Sequence, residues 1–272
     1  MPDLTGAAEK TRRRKIALRS HLLTARRQMS PSALAAAAAQ LQDQVLEAVR
    51  VQRATTIAAY VPVGAEPGGP GLVASLAAHG RVLLPVLRPD NDLDWAPYEG
   101  TTVPGPRGLL EPPGPRLGVD AILSADLVLV PALAVDRHGF RMGRGGGSYD
   151  RVLSRLAVLP PPSAPPSSAP PPSTPPPSTP PSSTPPPSTP PPSTPPSSTP
   201  PPSAPPPSAP PPSSPSSADH TSPASAPLGA RTPLVLALLH DGELLDEVPA
   251  EPHDRPVHGA LTPHGGLFLA PT

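Results

Sequence analysis

The sequence predicts an α/β fold with a mainly parallel sheet, and three observations carry that prediction. Helical periodicity and short apolar runs alternate along the chain, the pattern of strands joined by helical crossovers. The runs RVLLPVL at 81–87, DLVLVPALAV at 126–135 and PLVLALL at 233–239 are rich in Leu and Val, as in strands covered on both faces. A glycine- and arginine-rich stretch, RMGRGGGSYDR at 141–151, stands between one such run and a helical segment. Open α/β sheets collect ligands at such strand-to-helix junctions.

Composition narrows the class. Of 272 residues, 53 are proline, concentrated in one block at 160–227, and only 2% are aromatic. Without that block about two hundred residues remain, enough for one sizeable core. Formal net charge is zero, which argues against a nucleic-acid or membrane-surface partner. Absence of cysteine excludes a disulfide framework, a thiol nucleophile and a cysteine-based zinc site. No apolar run is long enough to span a bilayer, and the basic N-terminus lacks the apolar core of a signal peptide. The expectation is a soluble cytoplasmic protein.

Residues 9–29 read as a helix with Leu18, Leu22, Ala25 and Met29 along one side. Lys15 and Arg19, four apart, project from a common face. Ser30 and Pro31 supply an N-cap and a first-turn proline for a second helix. Its apolar face, Leu34, Ala38, Leu41, Val45 and Val49, reads as scaffold. A strand at 56–61 follows, and Glu66 lies just past its C-terminal end. A short helix at 72–79 and strands at 81–87 and 93–98 come next. Trp95 and Tyr98 in the last of these read as sheet packing. The run 126–135 reads as a single strand that delivers the central loop. His138 in that loop has no sequence neighbour that would make it a metal ligand or an acid–base group.

After the loop, Val152, Leu153, Leu156 and Leu159 share one helical face, with Ser148 placed as N-cap. Gly143, Gly145, Gly146 and Gly147 permit positive φ and let backbone N–H groups approach a ligand. The helix aims its positive end at the same place. Arg141, Arg144 and Arg151 offer planar donors matched to phosphate oxygens, and Asp150 offers a carboxylate for a hard cation that bridges phosphates. No Lys-Ser or Lys-Thr follows the glycines, so the stretch is not a P-loop, and Ser148 breaks the dinucleotide fingerprint. Residue chemistry alone defines an anion-binding loop, against the plainer alternative of a glycine linker with surface arginines.

The block at 160–227 repeats Pro-Pro-Ser, Ser-Thr-Pro and Ser-Ala-Pro units. This composition cannot bury a core and predicts a disordered, extended insertion in a surface loop. It divides one domain into residues 1–159 and 228–272, and a partner that binds PxxP segments is a further expectation. Beyond it lie the strand at 233–239, Asp241-Gly242-Glu243, the segment VPAEPHD at 248–254, and a terminal hairpin over 261–270.

The stretch from Asp136 to Arg151 resembles the signature of the 5-formyltetrahydrofolate cyclo-ligase family, roughly D-x-x-G-x-R-L-G-x-G-x-G-Y-Y-D-R. Asp136, Gly139, Arg141, Gly143, Gly145, Gly147, Tyr149, Asp150 and Arg151 match, while Met142 and Ser148 replace a leucine and a tyrosine. Lys15-Ile-Ala-Leu-Arg19 is similar to the family's opening K-x-x-x-R, and Gly108-Leu109-Leu110-Glu111-Pro112 to its G-I-x-E-P turn. Val248 to Asp254 resembles V-P-x-x-x-H-D, although His258 stands where an aspartate is common.

The resemblance covers nearly everything outside the proline block. It implies a three-layer Rossmann-like fold of the NagB/RpiA/CoA-transferase kind. It also implies an enzyme that uses ATP and Mg²⁺ to cyclise 5-formyltetrahydrofolate to 5,10-methenyltetrahydrofolate. By the same resemblance Lys15, Arg19 and residues 141–149 (Arg141, Met142, Gly143, Arg144, Gly145, Gly146, Gly147, Ser148, Tyr149) contact ATP. Val61, Glu66, Arg144, Gly145, Gly146, Gly147 and Ser148 contact the folate, Arg144 and Tyr149 act in catalysis, and Asp150 and Asp254 hold Mg²⁺. Two alternatives remain: a sugar-phosphate isomerase-like enzyme, and a non-catalytic relative that uses the proline block as an interaction arm.

Overall fold

A computed structural model of the chain describes residues 4–157, 232–251 and 254–271; the 160–227 block, Leu159 and His253 lie outside them. Helices α1 (Leu4–Gln28) and α2 (Pro31–Gln52) lead into strand β1 (Thr56–Ala58), helix α3 (Leu72–Ala77), β2 (Arg81–Leu87) and β3 (Leu93–Pro97). A small hairpin, β4 (Val103–Pro104) and β5 (Leu110–Glu111), precedes β6 (Leu127–Pro131). Strands β7 (Ala134–Asp136) and β8 (Arg141–Met142) bring the chain to α4 (Ser148–Leu156). Strands β9 (Leu234–Leu238), β10 (Leu244–Leu245), β11 (Gly259–Thr262) and β12 (Gly266–Leu269) complete the fold.

The main sheet has the order β12-β11-β9-β6-β1-β2-β3. Its five inner strands run parallel, and the two edges, β3 on β2 and β12 on β11, are antiparallel. Strand alternation sorts the core onto two faces. Ile57, Val82, Leu84, Leu127, Leu129, Leu236 and Leu238 meet Leu41 and Val45 of α2 and Leu72 and Leu76 of α3. Ala58, Leu83, Val128, Val130, Val235 and Ala237 face the other way, onto Val152, Leu153 and Leu156 of α4. The fold is therefore α/β, with a mixed, mostly parallel sheet and helices on both faces. Among the described residues no helix is long and apolar enough to cross a membrane.

Three expectations are corrected. The run 126–135 is two strands: Pro131, which has no N–H to donate, closes β6, and after Ala132 and Leu133 the chain enters a separate sheet of order β10-β7-β8. In α1, Ala25 is exposed and Arg26 takes the buried position one turn beyond Leu22. Finally, Ser148 is the first residue of α4 and Gly147, at φ 73°, is its N-cap, so no side chain caps that helix. By contrast, Ser30 caps α2 as expected, accepting the Ala33 N–H at 3.2 Å, with Pro31 in the first turn.

Candidate functional site

The strand order places a reversal between β1 and β6: the chain steps outward to β2 on one side and to β9 on the other. At such a switch point the loops leaving adjacent strands diverge and leave a crevice at the strands' C-terminal ends. A cavity of about 700 Å³ lies there, lined by the loop after β1, the ends of β2 and β6, the glycine loop and α1. Lys15, Arg19, Val61, Glu66, Arg141 to Asp150, and Asp254 all line it, whereas Arg151, read from the sequence as a further donor for phosphate, does not and turns instead to the Asp90 carbonyl.

The glycine loop is set by hard constraints around it. Asp136 is buried and accepts the N–H groups of His138 and Phe140 through Oδ1 and that of Val248 through Oδ2, which closes the β7–β8 turn. Gly139, at φ 83°, leaves no space for a Cβ, which would fall 2.4 Å from the Val257 carbonyl oxygen. Gly145, at φ 97°, and Gly147 use the left-handed backbone that only glycine adopts cheaply. At the far end of α4, Arg155 binds Asp92 at 2.6 Å and Asp120 at 3.2 Å, while Arg151 donates to the Asp90 carbonyl. The loop is thus clamped from both sides.

Around the loop the charges are arranged in pairs. Arg19 donates to the Gly143 carbonyl at 3.0 Å and so joins α1 to the loop. Lys15 contacts Asp254 at 2.7 Å and Glu251 at 2.6 Å. Burial pulls the Lys15 ammonium down, but its bonds to Asp254 and then Glu251 outweigh that, and its pKa is raised overall. Lys15 is therefore a fixed cation near neutral pH. Arg141 is buried, donating to Asp150 at 2.7 Å and to the Pro131 carbonyl at 3.2 Å, with its guanidinium 5.8 Å from the Tyr149 ring centroid. Burial pushes the Tyr149 phenol well up, so it remains a neutral O–H donor. That hydroxyl and Arg141 Nε are both buried without a partner among the described residues. Both are donors, so any group that satisfied them would have to offer acceptors.

Across the cavity Glu66 is held within its own turn: Oε2 accepts the Val63 N–H at 2.9 Å, and Oε1 meets Arg144 Nε at 3.2 Å. Arg144 is mostly exposed. Glu111, from the turn similar to G-I-x-E-P, is buried and accepts the Leu87 N–H at 2.8 Å, which ties the β5 end to β2. Trp95 is core, as expected. His258 has no place in the cavity lining: its Nδ1 accepts the Val235 N–H, and burial lowers its pKa, so it is a neutral structural side chain.

Three residues at the site were not legible as site residues. Glu251 shares Lys15 with Asp254, but the pattern VPAEPHD drew attention to its end. Tyr60 lines the cavity and donates to the Pro67 carbonyl. Arg26, which the sequence reading did not single out, forms a buried two-point ion pair with Glu243. Its one available signal was position: four residues beyond Leu22, on the face that must pack.

A crevice at a topological switch point, with a glycine loop, lysine and arginine side chains and facing carboxylates, defines the class: an α/β protein with a charged cavity on a sheet covered on both faces. Comparisons with known proteins give the family. The family model described as 5-formyltetrahydrofolate cyclo-ligase matches residues 11–165. The chain is 34% identical over 262 residues to a 5-formyltetrahydrofolate cyclo-ligase of Mycolicibacterium smegmatis, covering 94% of this chain and 96% of that protein. The chain therefore belongs to the 5-formyltetrahydrofolate cyclo-ligase family. The fold is shared with the solution structure of a 5,10-methenyltetrahydrofolate synthetase of Aquifex aeolicus, with a TM-score of 0.56 at 16% identity over 95% of this chain and 93% of that one.

Proposed function

We propose that this protein catalyses the ATP- and Mg²⁺-dependent cyclisation of 5-formyltetrahydrofolate to 5,10-methenyltetrahydrofolate on a three-layer Rossmann-like scaffold. The observation that supports it best is that the cations of α1 and the glycine loop, 124 positions apart at Arg19 and Gly143, line one cavity opposite Glu66. In this reading the γ-phosphoryl group of ATP moves to the formyl oxygen, leaving ADP and an iminium phosphate. N10 of the folate then attacks the activated carbon and gives up its proton, and the formyl oxygen departs as phosphate, which takes up a proton.

Neither step needs a covalent bond to the protein; both need positioning and charge neutralisation. Lys15, Arg19 and Arg144 neutralise phosphate oxygens, and the N–H groups of 143–147 cradle them. Tyr149 donates its buried O–H, and Glu66 and Val61 face the folate from the other wall. Asp150 and Asp254 fit Mg²⁺ by chemistry: they present hard oxygen donors to the cavity, and Mg²⁺ is ordinarily held by one or two carboxylates completed by substrate phosphates. Among the described residues no group of three or more His, Cys, Asp or Glu could hold a metal without that help. When bound, the ion would offset the charge of the transferring phosphoryl group.

The test follows 5,10-methenyltetrahydrofolate by near-ultraviolet absorbance, with 5-formyltetrahydrofolate and Mg²⁺, with and without ATP. An ATP-dependent rise that Arg144→Ala abolishes supports the reading. Folded protein that gives no rise overturns it. Turnover of a sugar phosphate without ATP would favour an isomerase-like activity on the same scaffold.

A further inference from the structure

The turn that carries Glu66 is anchored by a buried chain of contacts that begins far away in sequence. Inside the turn, Glu66 N–H donates to the Val63 carbonyl at 3.2 Å, and Glu66 Oε2 accepts the Val63 N–H. Those two bonds fix its shape. Where it points is set by contacts from outside. Tyr60 donates to the Pro67 carbonyl at 2.9 Å, and His240 Nε2 lies 3.0 Å from the Ala65 carbonyl. A carbonyl only accepts, so His240 Nε2 carries the proton and donates.

His240 stands two residues past β9 and is buried. Its backbone N–H donates to Glu243 Oε2 at 2.7 Å, and Glu243 N–H returns a bond to the His240 carbonyl at 3.2 Å. Glu243, also buried, takes both Nε and Nη2 of Arg26 at 2.7 Å, and Arg26 Nη2 reaches the Ala132 carbonyl at 2.6 Å. One hydrogen-bonded chain thus runs from α1 through the turn after β9 to the carbonyl that precedes Glu66. It also holds the bend between β6 and β7 in register with that turn.

We propose that His240, locked from behind by the Arg26–Glu243 pair, is a positioning residue that aims Glu66 into the cavity. The proposal rests on the folate-facing role of Glu66 given above. His240 is absent from the cavity lining, so it acts through Ala65 and not by touching a ligand. Displacing a binding carboxylate by a fraction of its reach weakens a ligand's hold while leaving distant groups in place. The effect should therefore fall on the folate and spare ATP, whose contacts come from α1 and the glycine loop.

The test pairs His240→Leu, which removes the donor, with His240→Gln, whose side-chain amide N–H can replace it. Both substrates are varied in steady-state assays. His240→Leu is expected to raise the KM for 5-formyltetrahydrofolate about tenfold, the worth of one lost hydrogen bond, with the KM for ATP unchanged. His240→Gln is expected to restore most of that loss. A folate KM unaltered in His240→Leu, or equal increases in both KM values, overturns the proposal. Amide hydrogen exchange supplies a readout independent of turnover. Val63 and Glu66 N–H groups should exchange faster in His240→Leu while those of β9 do not change. If the wild-type protein fails to turn over 5-formyltetrahydrofolate, the enzymatic reading falls by itself. Exchange then decides the anchoring: unaltered rates at 63 and 66, or equal acceleration in β9, would sink it.

Discussion

Two arginine–carboxylate pairs border the same cavity and behave as opposites. Arg26 and Glu243 are 4% and 7% exposed and meet at two points, with Arg26 Nη2 also reaching the Ala132 carbonyl and Glu243 Oε2 accepting the His240 N–H. Arg144 and Glu66 meet at one point, 3.2 Å apart, with Arg144 59% exposed. The first pair is almost wholly withdrawn from water, so breaking it strands a charge in the interior. The second keeps water on one partner and can trade that partner for a ligand at small cost. Burial separates a fixture from a contact that can be exchanged, even though both consist of the same chemical groups.

The largest expected effect tests the fixture. Arg26→Ala should destabilise the protein by about 3–5 kcal/mol, because Glu243 remains buried without its counter-ion. Denaturant unfolding with unchanged slope would measure it, and a loss under ~1 kcal/mol would mean the pair is dispensable. The exchangeable pair should give the reverse pattern. Arg144→Ala should lower kcat/KM by about a hundredfold or more if it meets developing phosphate charge, yet leave the unfolding midpoint in place. A shift in stability comparable to that of Arg26→Ala would erase the distinction.

The third prediction compares neighbours within the glycine loop. Gly145→Ala places a Cβ at a positive φ and 3.4 Å from the Arg19 guanidinium, whereas a Cβ at Gly146 meets nothing nearer than the Ser148 hydroxyl at 4.0 Å. Gly145→Ala should cost about 1–3 kcal/mol in stability, and Gly146→Ala much less. Calorimetry of the two variants settles it.

The smallest effect concerns acid. The Arg155 hydrogen bond, first among its causes, holds the Asp92 carboxyl below its usual value of 3.8. A carboxyl depressed in the folded state contributes stability that is present above the unfolded pKa and is lost as pH falls through the folded one. Asp92→Asn should therefore be about 1 kcal/mol less stable than wild type near neutrality, and the gap should close below pH 4. A gap independent of pH would show that Arg155 is not what sets Asp92.

How much of this was legible in the sequence depends on distance along the chain. The glycine loop, the helix that follows it and the capped start of α2 are local, so residue types and spacing sufficed. Lys15, Arg19 and Glu66 came from resemblance to a family, since nothing in a lysine's neighbours says which loop it will meet. The division of 126–135 was hidden because an apolar run looks the same whether or not it changes sheets; Pro131 was the overlooked sign. His240 was not legible at all, and Arg26 only through its position four residues beyond Leu22. A charged residue breaks the apolar period that marks a buried face, and the partner that makes its burial tolerable lies 217 positions away in one case and the carbonyl it binds 175 in the other.

The position of β9 has a consequence for biosynthesis. It lies between β6 and β11 in the middle of the sheet, yet it is encoded after the proline block. On the ribosome, β1, β2, β3 and β6 emerge long before it, and β6 must present an unpaired apolar edge until residue 234 has been made. Such an edge is a template for wrong partners. The length of the proline block therefore adds to the time for which a half-built sheet waits for its central strand.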